Sequence, residues 1–431
     1  MNTNRFDGFE KEVQTLVLDY ERKRRLGESR YYDVEEICIV IDFYLETLDM
    51  SNLEEALDFA ESLFPDELSV RLRRAHYYCG KYDYDKALSI LRPLQMMEPD
   101  NTDVHYALGA IYSVLDQPQK SIYHYTKAAA DEFQLDMIWG NIADEYCKMD
   151  DTFTAMDYYK KSININHEEE RSLLNLFYCW QQQNKGEEAV AYYKDFVDRE
   201  PYSKTAWYCL GCAYAMLSLT ELAIDAYEFT LTIDKTYYNA YVAMADCLRQ
   251  IGKTGEAVSR LREALDYSDD RGGTLLAIAT IYLSANNYQT ASVYLRQAVG
   301  EDKYLDEAWG LLADCYDQLG DAASAEPLYQ RALGMNQDTD EHWLCYADFL
   351  MRHERYSDAI ELLQEGVPSS NCAFDFDSRL VMCYQKTGKL QQLYDTLIAI
   401  DNNDSLKTLI GEHPELLDDS EVAEMVRSLV N

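Results

Sequence analysis

Trp207-Tyr-Cys-Leu-Gly-Cys-Ala-Tyr214 is followed nine residues later by Ala223-Ile-Asp-Ala-Tyr-Glu-Phe-Thr-Leu231. In the first stretch Trp207, Leu210, Gly211 and Tyr214 fall at i, i+3, i+4 and i+7; in the second, Ala223, Tyr227, Thr230 and Leu231 fall at i, i+4, i+7 and i+8. Each spacing keeps one apolar stripe along an α-helix. The pattern then recurs. Steps of 34 residues in both directions from Ala223 reach Ala87, Ser121, Ala155, Ala189, Ala257, Ala291, Ala325, Ala359 and Leu393 without an insertion. The same step through Gly211 gives Ala75, Gly109, Ala143, Phe177, Ala245, Ala279, Ala313, Ala347 and Val381, and through Tyr214 it gives Tyr78, Tyr112, Tyr146, Trp180, Leu248, Tyr282, Tyr316, Leu350 and Tyr384. A fixed period of this length is the signature of a stacked repeat array. Each unit predicts two amphipathic helices, A and B, around a tight turn at the phase of Asn184, Gly252, Asn286, Gly320 and Gly388, where Gly and Asn accept the left-handed conformation that ends a helix.

With a small residue at the eighth and twentieth places and an aromatic at the eleventh, the unit resembles the tetratricopeptide repeat family. Trp207 to Tyr214 and Trp309-Gly-Leu-Leu-Ala-Asp-Cys-Tyr316 carry that family's W-x2-L-G/A-x2-Y core. The resemblance implies an all-α fold, an α-solenoid winding as a right-handed superhelix of helix-turn-helix repeats. It covers residues 34–404: a first unit expected to be about one turn short, then ten units opening at 68, 102, 136, 170, 204, 238, 272, 306, 340 and 374. Residues 1–33 are expected to form an N-terminal capping helix from about Phe9 to Arg25, and residues 405–431 to form C-terminal capping helices with a capping box at Asp418 and Glu421. Tyr125, Tyr159, Tyr193, Tyr227 and Tyr329 share one phase of helix B, so many of the 36 tyrosines are expected in the core.

Charge narrows the partners. The chain carries 77 Asp and Glu against 39 Lys and Arg, a formal charge of −38, which repels phosphate backbones and anionic lipid. Neither nucleic acid nor a membrane is the expected partner. Arg22-Lys-Arg-Arg25 is the basic cluster that stands out, and it suits the C-terminus of a helix, where cations complement the dipole. The first residues show no basic stretch followed by an apolar run, and the eleven cysteines read as reduced thiols, so the expected location is cytoplasmic. Cys209-Leu-Gly-Cys212 lies within a helix and has no second pair or neighbouring His, which does not suit zinc.

No phosphate-cradling glycine loop, nucleophile elbow or H-E-x-x-H is present, and the seven histidines fall at different repeat phases. No enzyme, cofactor or metal site is therefore expected. The family resemblance implies a concave groove lined by helix A, with its second, fifth, ninth, twelfth and thirteenth places facing a ligand. Those places put Leu174, Tyr178, Tyr208, Met216 and Val242 on an apolar and aromatic stretch, with Gln182 also facing the groove, and Asp246, Asp314, Asp317 and Asp348 on an acidic one that Arg249 partly offsets. Family members that clamp acidic peptide tails carry Lys, Arg and Asn at these places, whereas this chain carries Asp. The expected function is a scaffold or adaptor holding a protein or peptide with basic and apolar residues. A regulator whose solenoid changes curvature around a short peptide is the alternative, and an enzyme with its site in the groove is a third.

Overall fold

The computed structural model describes residues 6, 8–27, 30–130, 134–369, 372–400, 403–417, 422–424 and 426. Among them the regular elements are 24 α-helices and one 3-10 turn, with no strand. The fold is an all-α solenoid of paired helices. The chain divides into two compact blocks, Met1–Leu217 and Ser218–Asn431.

In the first block, helix Lys11–Leu26 precedes the pairs Val34–Glu46 and Met50–Leu63, Leu68–Gly80 and Tyr84–Met97, Thr102–Val114 and Pro118–Ala128, Leu135–Lys148 and Thr152–Ile165, Glu170–Gln182 and Gly186–Arg199, and then Lys204–Met216. In the second, Thr220–Ile233 precedes Tyr238–Gln250 and Thr254–Ala264, Arg271–Ser284 and Tyr288–Glu301, Asp306–Gln318 and Ala322–Met335, Asp340–Arg352 and Tyr356–Glu365, and Ala373–Thr387 and Leu390–Ala399. Helix Asn403–Glu412 and the turn Pro414–Leu417 follow. The basic cluster falls where the dipole favours it, with Lys23, Arg24 and Arg25 in the last turn of the first helix.

Two local devices make each turn. A left-handed residue sits at one phase throughout, at Leu48, Tyr82, Asp116, Asp150, Asn184, Ser218, Gly252, Asn286, Gly320, Glu354 and Gly388, with φ between 52° and 80°. For a residue with a Cβ this conformation costs about 1–2 kcal/mol. The next residue's N–H offsets that cost by reaching back to the carbonyl of the eleventh place: Asp83 to Tyr78 and Lys185 to Trp180, both at 2.9 Å, and Arg355 to Leu350 at 2.8 Å. Where that next residue is Asp or Asn it can also cap helix B, as Asp49, Asp83, Asp151, Asn287 and Asp321 do by accepting the N–H three residues on.

The first repeat differs from the expectation of a shortened unit. Its helices have 13 and 14 residues, as those of other repeats do, and Leu48 holds the shared turn phase. Ile41 and Leu53, both fully buried, occupy the places that usually take small residues. Size, not length, sets this repeat apart. The expected capping box at Asp418 and Glu421 lies outside the described residues, but Val422 and Val426 are buried in the cluster containing Leu393 and Leu397 of the last repeat.

Small residues let helices A and B close up. Ala75, Ala87, Ala143, Ala155 and Ala189 in the first block are fully buried, as are Ala223, Ala257, Ala291 and Ala325 in the second. At Gly109 a Cβ would come within 2.8 Å of the Tyr125 ring, so any larger residue displaces that ring. The tyrosine expectation holds: Tyr125, Tyr159, Tyr193, Tyr227 and Tyr329 are at most 4% exposed.

A buried histidine pair lies in the first block. His105 Nε2 is 2.9 Å from the carbonyl of Pro99, which can only accept, so this nitrogen carries a proton. His105 Nδ1 then accepts from His124 Nδ1 at 2.9 Å. His124 is 7% exposed and stacked on Tyr112. Burial, then the neighbouring His105, takes its pKa down to about 4. The folded value lies below the unfolded one, so the stability from neutral His124 is complete above the unfolded pKa of about 6.5 and falls as the pH drops toward 4. Urea unfolding of the full chain between pH 7.5 and 5 should show the onset of a loss that approaches about 2–3 kcal/mol at the acid limit. A His124→Phe variant with the wild-type slope between pH 6.5 and 5 would contradict this assignment.

Candidate functional site

The face of helix A that the sequence singles out can be followed block by block. In the first, Tyr178 is 49% exposed, Gln182 is exposed, and Leu174, Tyr208 and Met216 are half-buried. Between them they present aromatic and apolar surface.

In the preceding repeat the ninth place holds Asp144, and it is fully engaged. Its carboxylate accepts from Tyr159 Oη at 2.6 Å, Arg171 Nη1 at 3.0 Å and Asn175 Nδ2 at 3.1 Å. At the same place in the first repeat, Asp42 takes a bidentate contact from Arg73 at 2.7 and 2.5 Å.

In the second block Val242, Asp246 and Arg249 line one depression of about 330 Å³, completed by Ala245, Leu261, Ala277, Thr280, Ile281 and Ser284. Its walls are helices Tyr238–Gln250 and Arg271–Ser284, with Leu261 contributed by helix Thr254–Ala264. Asp246 is 61% exposed and only loosely paired with Arg249, at 3.6 Å. Three of the expected residues thus share one concavity, with both signs of charge and apolar side chains around it.

The other three acidic residues are differently placed. Asp348 receives both Nε and Nη2 of Arg379, at 2.7 and 2.8 Å. Asp317, its side chain 5% exposed, takes Arg352 at 2.8 Å and His353 at 2.6 Å. Asp314 accepts from Tyr329 Oη at 2.5 Å, and burial raises the pKa of its carboxyl despite that bond. These carboxylates tie one repeat to the next, or helix A to helix B, so a basic ligand at these places has to displace an internal partner. The repeat pattern did not single out Arg73, Arg171 and Arg379. Asp42 with Arg73, and Asp348 with Arg379, share a separation of 31 residues, which is the signal the sequence carries for them.

Two profiles of the tetratricopeptide repeat family match the chain, over residues 181–234 and 282–345. Both fall on helix pairs already described. The chain carries tetratricopeptide repeats over these stretches. Among curated proteins, this repeat protein is 22% identical over 251 residues to the BBSome complex member BBS4 of Bos taurus, covering 49% of the present chain and 48% of that protein. It is 38% identical over 63 residues to the interferon-induced protein with tetratricopeptide repeats 2 of Mus musculus, covering 15% and 12% respectively. The chain thus spans about half, or far less, of the length of these relatives. A solved tetratricopeptide repeat protein from Parabacteroides merdae is 17% identical, with a TM-score of 0.40, covering 56% of this chain and 96% of that one. Among the described residues no helix is long and apolar enough to cross a membrane, and no group of three or more His, Cys, Asp or Glu is placed to hold a metal ion.

Proposed function

We propose that this repeat protein is a non-enzymatic interaction scaffold, and that the depression between helices Tyr238–Gln250 and Arg271–Ser284 takes an extended segment of a partner protein. The observation that carries the reading is the grouping of Val242, Asp246 and Arg249 around one concavity of about 330 Å³. That volume, at the lower end of ligand-sized pockets, suits an apolar anchor side chain rather than a folded surface. Asp246, exposed and weakly held, favours a Lys or Arg next to the anchor. Leu174, Tyr178 and Tyr208 of the first block offer a separate apolar face. The bovine relative is by name a member of a complex, and a scaffold role is consistent with that.

The test is a selection of displayed peptides on the immobilised full chain. Enriched sequences should pair a basic residue with a large apolar one. Thr280→Trp, which fills the depression from an exposed place, and Asp246→Lys should each weaken their binding at least about tenfold, equivalent to about 1.4 kcal/mol. Peptides that bind both variants as tightly as wild type would rule out this site.

A further inference from the structure

We infer that Cys147 and Cys179 form an oxidative modification site, a dithiol that closes to a disulfide on meeting a peroxide and staples two neighbouring A helices of the first block. Cys147 lies in helix Leu135–Lys148 and Cys179 in helix Glu170–Gln182, and their sulfurs are 3.7 Å apart. A disulfide bond is about 2.05 Å long, so rotation of the two side chains has to bring the sulfurs together. The meeting arises because the twelfth place of one repeat packs near the tenth place of the next. Cys247, Cys315 and Cys383 also hold tenth places, but the twelfth places before them are Ala215, Leu283 and Met351, so this dithiol is not a property of the repeat.

The two thiols are unequal. Cys147 is half-buried, whereas Cys179 is 3% exposed. The Cys179 S–H beside it is the main influence holding the Cys147 thiol below its ordinary pKa, against the opposing effects of burial and the Asp144 carboxylate. Tyr159 Oη lies 3.6 Å from Cys147 Sγ and, with its own proton on Asp144, can only accept from the thiol. The thiolate is the nucleophilic form, and Cys147 is the sulfur of the pair that an oxidant can reach. Cys179 is pushed the other way, first by its bond to Cys147 and then by burial. Cys147 meets the oxidant and Cys179 resolves it.

The chemistry balances with hydrogen peroxide as the oxidant. The Cys147 thiolate attacks one peroxide oxygen; an S–O bond forms, the O–O bond breaks, and the departing hydroxide takes up a proton as water. The Cys179 sulfur then attacks the sulfenic sulfur; the S–S bond forms, the S–O bond breaks, and the second hydroxide leaves as water with the Cys179 proton. Two thiols lose two electrons in total, and one peroxide is reduced to two waters.

Peptide mapping by mass spectrometry decides the matter on the folded full chain. The protein is treated with a few equivalents of hydrogen peroxide, quenched with N-ethylmaleimide and unfolded in the same reagent. The expected product is a Cys147–Cys179 cross-linked peptide about 2 Da lighter than the paired thiols and restored by dithiothreitol. The fully buried Cys209 and Cys315 should remain alkylated and serve as internal standards. Cys179→Ala should stop at a sulfenic acid on Cys147 that dimedone traps, and Cys147→Ala should abolish the cross-link. Circular dichroism and the urea midpoint establish that each variant is folded. The inference is overturned if Cys147 stays a free thiol while other half-buried cysteines such as Cys79 or Cys345 oxidise, or if Cys147 oxidises without joining Cys179.

Discussion

Replacing Asp348 by lysine should lower the stability of the last two full helix pairs of the second block by about 2–3 kcal/mol, while Asp246→Lys should change it by less than about 0.5 kcal/mol. Both residues hold the ninth place of a helix A, and by repeat place they are equivalent. Their surroundings are not. Asp348 is gripped by two guanidinium nitrogens of Arg379, whose side chain is only 26% exposed. A lysine there loses a bidentate, charge-assisted pair and sets one cation against another in a partly desolvated site. Asp246 is 61% exposed, so the solvent screens what it gains from Arg249. Stability in a repeat array is distributed along the chain, so the readout should be local: amide hydrogen exchange in helices Asp340–Arg352 and Ala373–Thr387. Equal effects at the two positions would remove the distinction between a latch and an exposed, loosely paired carboxylate. The distinction also bears on binding studies, because reversing Asp314, Asp317 or Asp348 perturbs the scaffold as well as any ligand. Asp246 is the position at which charge reversal tests recognition.

Tyr329→Ala should cost more, about 3–5 kcal/mol, and Tyr329→Phe about 1–2 kcal/mol. The ring is 1% exposed, lies parallel to Tyr346 with centroids 5.8 Å apart, and meets Phe349 at 5.0 Å. Truncation leaves a cavity between helices A and B and removes the donor that Asp314 accepts. The phenylalanine variant keeps the packing and loses only the hydroxyl, so the difference between the two variants separates ring burial from hydrogen bonding. Urea titration followed by far-ultraviolet circular dichroism, with hydrogen exchange at Ala322–Met335 to localise the effect, measures both. A loss below about 1 kcal/mol for the alanine variant would mean that the repeat repacks around the gap.

The local rules are legible in the chain itself. A small residue every 34 positions, an aromatic three places after its counterpart in helix A, and a Gly or Asn at the turn mark out the helix pairs. They are legible because helix periodicity and close approach act on residues near in sequence. The same rules misread the first repeat, where Ile41 and Leu53 fill the small places and make a full-length unit look short. They also point to only five of the eleven left-handed turn residues, because Leu48, Tyr82 and Glu354 adopt a conformation that their own chemistry disfavours and that the turn's hydrogen bonds sustain.

Which residues of the helix A face stay exposed is a different kind of fact. The sequence places Asp246, Asp314, Asp317 and Asp348 on one face of helix A and, apart from the 31-residue spacing of Asp348 to Arg379, offers no way to rank them. Their partners come from 15 residues away for Tyr329, 31 for Arg379 and 36 for His353, each from beyond the carboxylate's own helix. Only the packing of one helix against the next determines whether such a side chain arrives within hydrogen-bonding reach or not at all. The sequence alone determined the repeat and the helix faces, through short-range periodicity. Tertiary structure decided which carboxylates are latches, which one borders a depression, and that the Cys147 and Cys179 thiols meet, because those outcomes depend on side-chain reach across helices that only the assembled stack brings together.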